Sequence, residues 1–342
     1  MGPVGLVKLS GGDEVTNPDG FGSRETDPQN YVHNPVMVSE VLNYISMAPI
    51  GMVVDATVGL GGHAAQILEA ISGSTLLGLD RDADALALAQ TNLGKFEGRF
   101  RLVNQPFSAI AEEVTRAQTS GFASAGPVAI LADLGVSSMQ LDDSSRGFSI
   151  RNEGPLDMRM DRASDVSAER ILNEASFDEL FHLLRDQDEP HARRIAQAVV
   201  EHRPFATTTE LALAIEKVVP YHMRRGRIHP ATRTFQAIRI AVNSEGSELD
   251  RLLLEGIELL VQGGIFVVIS YHSGEDRATK RAFLSASTGG CVCPKALGCV
   301  CGAVSLGEVL TRGAKLPTIA EISGNPRSRS ARLRAFRRGG GS

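Results

Sequence analysis

Nowhere does this chain run to the roughly 18 consecutive apolar residues that a membrane helix needs, so no membrane span is expected. It has no excess of positive charge either. With 35 Lys and Arg against 40 Asp and Glu, the net charge is −5, which excludes a globally basic nucleic-acid binder and leaves any RNA contact to local basic patches. The N-terminus lacks the basic-then-apolar pattern of a secretion signal, and Asp13, Glu14, Asp19, Glu25 and Asp27 argue against an acid-poor transit peptide. A cytoplasmic protein is expected. Cysteine is scarce: all 4 residues fall within 291–301, a local cluster and not a disulfide framework. What is present, 42% hydrophobic and 22% charged residues over 342 positions, suits a soluble globular enzyme of one large domain or two modest ones.

The most informative stretch is Gly51-Met-Val-Val-Asp-Ala-Thr-Val-Gly-Leu-Gly-Gly-His63. A short apolar run ends in Asp55, a glycine-rich turn follows (Gly59, Gly61, Gly62), and a helical pattern starts at His63. This is the strand, turn and helix start of a nucleotide-binding βαβ unit, in which glycines admit close approach of a ligand and the helix N-terminus offers free N–H groups. A second strand, Thr75 to Leu79, ends at Asp80, about 20 residues past the turn, where an acidic residue normally grips ribose hydroxyls. The glycines form neither GxGxxG nor a P-loop, so a dinucleotide dehydrogenase and a phosphate cradle are both disfavoured. An adenosyl cofactor without pyrophosphate, S-adenosylmethionine (SAM), suits the turn better. The alternative is an ordinary βα turn of an α/β protein.

The remaining pattern is that of a doubly wound, mostly parallel sheet interrupted by helices. Residues 1–30, rich in Gly, Asp, Asn and Pro, are expected to be a disordered tail, and 339–342 a flexible end. Val38, Val41, Leu42 and Ile45 recur at helical spacing. Asp82 can N-cap a helix with Ala85, Leu86, Ala89 and Leu93 on one face. Arg99–Val103 read as a third strand, followed by Phe107, placed either to stack on adenine or to join the core. Pro127–Asp133 is a continuous apolar strand of the buried parallel type. Asp133 at its end could hold the cofactor amino group or a substrate amine, or cap the next turn. Ile265–Ser270 is a fifth strand, 304–312 a sixth and 330–336 the last. Leu252–Leu260 read as a helix ending at Gly263-Gly264.

Four segments stand apart. Residues 146–161 follow neither helix nor strand period, yet Leu156, Met158 and Met160 argue for an ordered, functional loop. Residues 167–219 are helical throughout, with Thr209 before one helix start, so a helical insertion is placed at 140–228, leaving 31–139 and 229–338 to the sheet domain. His222, Arg224, Arg225, Arg227, His229, Arg233 and Arg239 form a basic run with Pro230 at a helix start; phosphate contact is favoured over a solvated helix face. Finally, Cys291, Cys293, Cys299 and Cys301 form C-x-C-P-x4-C-x-C. Four thiols this close could bind Zn²⁺, although C-x-C is tighter than the usual C-x2–4-C, and free thiols in a surface hairpin are the alternative.

Taken together, the motifs resemble the RsmH (MraW) family, bacterial methyltransferases of small-subunit rRNA. The resemblance is carried by Tyr31-Val-His-Asn-Pro-Val36, Asp55 to His63, Asp133-Leu-Gly-Val-Ser-Ser-Met-Gln140, and Arg146-Gly-Phe-Ser-Ile-Arg…Gly154-Pro-Leu-Asp-Met-Arg-Met-Asp161. It continues through His229–Asn243 and Ser270-Tyr-His-Ser-Gly-Glu-Asp-Arg277. It implies a Rossmann-like class I SAM-dependent methyltransferase with an inserted small helical domain for substrate recognition. The implied reaction is N4-methylation of one cytidine in the decoding centre of 16S rRNA, with the small ribosomal subunit as partner. By motif, SAM would touch Gly61, Gly62, His63, Asp80, Phe107, Asp133 and Gln140. Catalysis would fall to Asp133, with Asp157 and His272 as alternatives, and Arg224, Arg225, Arg227 and Arg233 would hold the RNA. Three residues depart from the family pattern: Met139 stands for Pro, Tyr271 for Phe and Gly274 for Leu. A homodimer is the assembly considered, and the oligomeric state is not set by the sequence. The other readings are a SAM methyltransferase acting on DNA or protein, and a non-catalytic assembly factor of the small subunit.

Overall fold

The structure, a computed structural model, describes residues 35–221, 229–294 and 300–339. The expected tail over 1–30, the motif start at Tyr31–Asn34 and most of the flexible end lie outside these residues.

Seven strands, β1 (Met52–Asp55), β2 (Thr75–Asp80), β3 (Phe100–Asn104), β4 (Ala129–Asp133), β5 (Ile265–Ser270), β6 (Gly307–Val309) and β7 (Arg332–Arg338), form one sheet in the order β3-β2-β1-β4-β5-β7-β6. The first five are parallel, and β7 runs antiparallel to both β5 and β6. Strands β1, β4 and β5 are apolar along nearly their whole length because both faces of the sheet are covered. On one face Val54, Leu77, Leu79, Ile130, Ala132, Phe266 and Val268 meet the helices Ile110–Thr119, Glu245–Leu259 and Ser273–Thr288. On the other, the alternate residues Val53, Leu131, Val267, Ile269 and Leu333 meet the helix Val38–Ile45 and Ile67 of the helix Gly62–Ala70. The strand order reverses at β1, between β2 and β4, and a crevice outside the carboxyl ends of strands at such a point is where open α/β sheets bind ligands.

The long helical reading of 167–219 resolves into Ala168–Glu174, Phe177–Asp186, Ala192–Glu201 and Thr208–Val218. Pro190 and Pro204 lie in the connections, where the restricted residue before each proline disfavours helix. The last of these helices starts at Thr208 and not after Thr209: Thr207 is the N-cap, and it pairs with Glu210 in a capping box. Leu172, Leu180, Leu184, Ile195, Val199, Leu211 and Ile215 form their own core, separate from the clusters on the sheet. Phe235, Ile238 and Val242 of the helix Thr232–Val242 join that core as well. That helix begins two residues after Pro230, with Ala231 as its N-cap. The helix expected from Leu252 starts at Glu245, and β6 is shorter than the segment expected for it. Leu156, Met158 and Met160 of the irregular segment are buried in the helical core, which accounts for its order without periodicity.

Candidate active site

Beyond Asp55 the chain turns through Gly59 and Gly61 into the helix Gly62–Ala70. Their φ values are 51° and 82°, in the left-handed region that costs other residues about 1–2 kcal/mol. A Cβ on Gly61 would also lie 3.2 Å from the Leu93 side chain. The Asp80 carboxylate closes the turn from the neighbouring strand: Oδ2 accepts the Gly59 N–H at 2.8 Å and Oδ1 accepts the Asp82 N–H at 2.9 Å. Each carboxylate oxygen offers a further lone pair, so this structural task leaves room for ligand hydroxyls.

Asp55, Asp80 and Asp133 end the adjacent strands β1, β2 and β4. The Asp133 N–H donates to Thr57 Oγ1 at 2.7 Å, and its Oδ1 accepts the Tyr271 hydroxyl at 2.8 Å. Burial, with repulsion from Asp133 and Asp80 added, pushes the Asp55 carboxyl up to about 7. Burial likewise raises Asp80 to about 6, with the Asp82 charge adding to it. The Tyr271 phenol is pushed well above its ordinary value by burial and by Asp133, so it remains a donor. His63 is buried and faces inward, with Nε2 at 2.8 Å from the Val36 carbonyl. Burial lowers it to about 4, so near neutral pH the imidazole is uncharged and Nε2 carries the proton donated to that carbonyl. The 3.7 Å separation of its Nδ1 from Asp133 Oδ2 is therefore not a salt bridge at that pH.

A glycine turn ringed by strand-end carboxylates thus sits at the switch point of the β3-β2-β1-β4-β5-β7-β6 sheet. The model of the MraW methylase family matches residues 30–339. This chain belongs to the MraW methylase family. A protein of Geotalea uraniireducens named ribosomal RNA small subunit methyltransferase H is 45% identical over 90% of this chain and 98% of its own length. A protein of that name from Dehalococcoides mccartyi is also 45% identical, over 90% of this chain and 87% of its own. One from Nitratidesulfovibrio vulgaris is 41% identical over 96% of this chain and 92% of its own.

In this MraW-family methylase, Phe107 is half-buried against the sheet core, and the Arg81 guanidinium lies 5.7 Å from its ring centroid. Gln140 is buried in the short helix Ser138–Asp142. Its Oε1 accepts the Ser137 N–H at 3.0 Å and its Nε2 donates to Asp82 Oδ2 at 2.8 Å. Asp82 does N-cap the following helix, as its position suggested, but it is also the centre of a buried network that the sequence reading missed. Arg146 donates to Asp82 Oδ2 at 2.9 Å and to the carbonyls of Arg159 and Met160. Asn243 accepts the Met160 N–H and donates to the Met158 carbonyl, both at 2.8 Å. These bonds pin the 146–161 segment to the end of β2. The visible signal was a lone arginine opening a loop without periodicity; its partners, 64 and 13 residues away, were not.

The other candidates have partners of their own. Asp157 is gripped by Arg159, Nε to Oδ1 at 2.6 Å and Nη2 to Oδ2 at 3.0 Å. Burial opposes its ionisation, but the hydrogen bonds and charge of Arg159 outweigh this and hold it below the ordinary carboxylate value. His272 is the N-cap of the helix Ser273–Thr288; its Nδ1 accepts the Gly274 N–H at 3.2 Å. Its Nε2 lies 3.0 Å from Glu275 Oε1 but is not aligned for a hydrogen bond. Gly274 sits against the His272 ring, where an added Cβ would be 3.1 Å from Cε1.

Of the basic run, His222, Arg224, Arg225 and Arg227 lie outside the described residues. His229 is 2.9 Å from Glu216, and Arg239 makes a two-point pair with Glu245 at 2.8 and 2.7 Å. Those two side chains are engaged by acids that lie outside the basic run, Glu216 before it and Glu245 after it. Arg233 is exposed, with Nη1 at 3.5 Å from the Asp188 carbonyl. Asp188 also accepts from Arg277 at 2.8 Å, which brings Arg233 to the His272 end of β5. Cys291, Cys293 and Cys301 converge, whereas Cys299 lies outside the described residues.

Proposed function

We propose that this methylase transfers the methyl group of SAM to the exocyclic N4 of one cytidine in the decoding centre of 16S rRNA, acting on the small ribosomal subunit in the cytoplasm. The observation that carries the cofactor half is the trio Asp55, Asp80 and Asp133 around the glycine turn. Burial, with repulsion from neighbouring carboxylates added, raises two of these carboxyls to about 7 and about 6, and a cationic ligand would favour their ionised forms. The sulfonium and amino group of SAM would supply that positive charge. Asp80 suits its ribose hydroxyls, Phe107 its adenine, and the N–H groups of Gly61, Gly62 and His63 at the helix start its carboxylate. Gln140 would act through Asp82. The substrate half is supported by kinship with proteins named as methyltransferases of small-subunit ribosomal RNA.

When bound, SAM supplies an electrophilic methyl group. The cytosine amine is a poor nucleophile because its lone pair is delocalised into the ring. Asp133, accepting one N4–H, would localise that pair, aim it at the methyl carbon and take up the proton released as the N–C bond forms and the S–CH3 bond breaks, S-adenosylhomocysteine being the neutral-sulfur leaving group. Tyr271 would hold the carboxylate in place. Asp133 is preferred to Asp157, whose carboxylate is gripped by Arg159, and to His272, whose ring caps a helix. Proximity and orientation would supply most of the acceleration. The base must leave its stack to reach the site. Arg224, Arg225, Arg227 and Arg233 would hold the backbone, with 140–228 as the recognition part and 31–139 with 229–338 as the cofactor-binding part.

The test is transfer from labelled SAM to small subunits lacking the modification, with the product nucleoside identified by mass spectrometry. N4-methylated cytidine at one site is expected. Label on another nucleoside overturns the substrate, and SAM binding without transfer points to an assembly factor.

A further inference from the structure

The cysteine cluster plays no part in the proposed methyl transfer, and the fold gives it a setting of its own. The helix Ser273–Thr288 ends at Gly289, and the chain returns to the sheet at β6. The base of the intervening loop is closed by the backbone: the Leu306 N–H donates to the Ala286 carbonyl at 2.9 Å, and an added Cβ on Gly289 would stand 2.4 Å from the Val304 carbonyl oxygen. Above that base the apolar side chains of the described residues are exposed. Val292, Val300 and Val304 are 91%, 86% and 56% exposed.

The side chains alternate instead. Val292 and the two cysteines that flank it take opposite sides of the chain, the valine being exposed and the Cys291 and Cys293 sulfurs close together. Val292 and Val300 take the solvent side, and the sulfurs of Cys291, Cys293 and Cys301 lie within 4.8 Å of one another. With Zn–S bonds of about 2.3 Å, the edges of a tetrahedral thiolate site are about 3.8 Å. The observed spacing needs only a small contraction to reach it.

We propose that Cys291, Cys293 and Cys301 form a structural Zn²⁺ site that fastens this loop, whose described valines stand in solvent. Cys299 is the remaining thiol of the sequence motif and lies outside the described residues. The tight C-x-C spacing is no obstacle, because the Cys291 and Cys293 sulfurs already lie within 4.8 Å of each other. The metal serves as a cross-link whose binding free energy stabilises the folded loop. The inference stands apart from the proposed reaction, since none of its residues is assigned to cofactor or RNA.

The full-length protein, purified under reducing conditions without added metal or chelator, is analysed for metal by plasma mass spectrometry. About one zinc per chain is expected, falling to background in Cys291→Ser, Cys293→Ser and Cys301→Ser. Cofactor-induced thermal stabilisation of the same variants checks their folding. A second measurement needs no substitution: Co²⁺ added to metal-stripped wild-type protein should give thiolate charge-transfer absorption and the intense visible bands of tetrahedral cobalt. Zinc retained in the Cys291→Ser/Cys293→Ser double variant overturns the proposal. So does a wild-type protein that binds neither metal, or one in which two of these cysteines are isolated as a disulfide.

Discussion

The Tyr271 hydroxyl donates a 2.8 Å hydrogen bond to Oδ1 of Asp133, joining the carboxyl ends of β5 and β4. Tyr271 is one of the positions at which this chain departs from the family pattern, so the bond is a feature that the family resemblance did not supply. A hydrogen bond to a charged group is worth about 1.5 kcal/mol or more, roughly tenfold in rate if it is made in the transition state. Tyr271→Phe is expected to lower kcat about tenfold with little change in KM for SAM. Steady-state kinetics decide this, and an unchanged kcat would remove Tyr271 as the residue that positions Asp133.

Asp55 and Asp80 predict a pH dependence of definite sign. Their folded values, about 7 and about 6, lie above the ordinary carboxylate value. Between about pH 4 and 7 the folded apo protein holds protons that the unfolded chain has released, so its stability falls as pH rises through that window. A cationic cofactor prefers the ionised carboxylates. The rise in Tm caused by SAM should therefore be larger at pH 8 than at pH 5.5, and Asp55→Asn should flatten the difference. Melting curves at the two pH values with equal stabilisation in the wild type would speak against the carboxylate trio as the cofactor's counter-charge.

Arg146 ties three points together with one planar group, reaching Asp82 and the Arg159 and Met160 carbonyls. Lysine offers a point charge and no fork. Arg146→Lys should lower stability by about 3 kcal/mol, the scale for breaking a buried ionic contact. Hydrogen exchange should rise selectively over 156–161. Uniform exchange across the chain would mean that Arg146 is a general core residue and not the clamp on this segment.

Asp276 and Arg334 form a buried two-point pair, 2.7 and 3.1 Å, between the start of the helix Ser273–Thr288 and β7. Asp276→Ala leaves a buried guanidinium without its counter-charge and should cost about 3–5 kcal/mol. Arg332 touches the same carboxylate at 3.4 Å from a half-exposed position, and Arg332→Ala should cost less than about 1 kcal/mol. Urea denaturation of the two variants measures the contrast, and equal losses would contradict the burial argument.

Much of this molecule could be read one residue after another. Thr75–Asp80 and Ile265–Ser270 are strands from end to end because central parallel strands, buried on both faces, leave uninterrupted apolar runs. Gly59 and Gly61 announced the turn because few other residues tolerate its backbone. Helix boundaries were less legible. Thr207 and Thr209 are both plausible caps, and the choice fell to the capping box that Glu210 completes with Thr207. Charge pairing was hidden altogether: Arg239 looked like one more member of a basic run until Glu245 was found against it, and His229 until Glu216 was.

The sequence by itself determined the class of the sheet, the turn and the carboxylates at strand ends, since these follow from local periodicity, backbone tolerance and spacing. Only the tertiary structure decided what those groups do to one another. It turned His63 inward to Val36, set Tyr271 on Asp133, engaged Asp157 with Arg159 and gathered Asp82, Gln140 and Arg146 into one network. Burial and the approach of residues distant in the chain set the charge and hydrogen bonding of each group, and neither is a property of any short stretch of sequence.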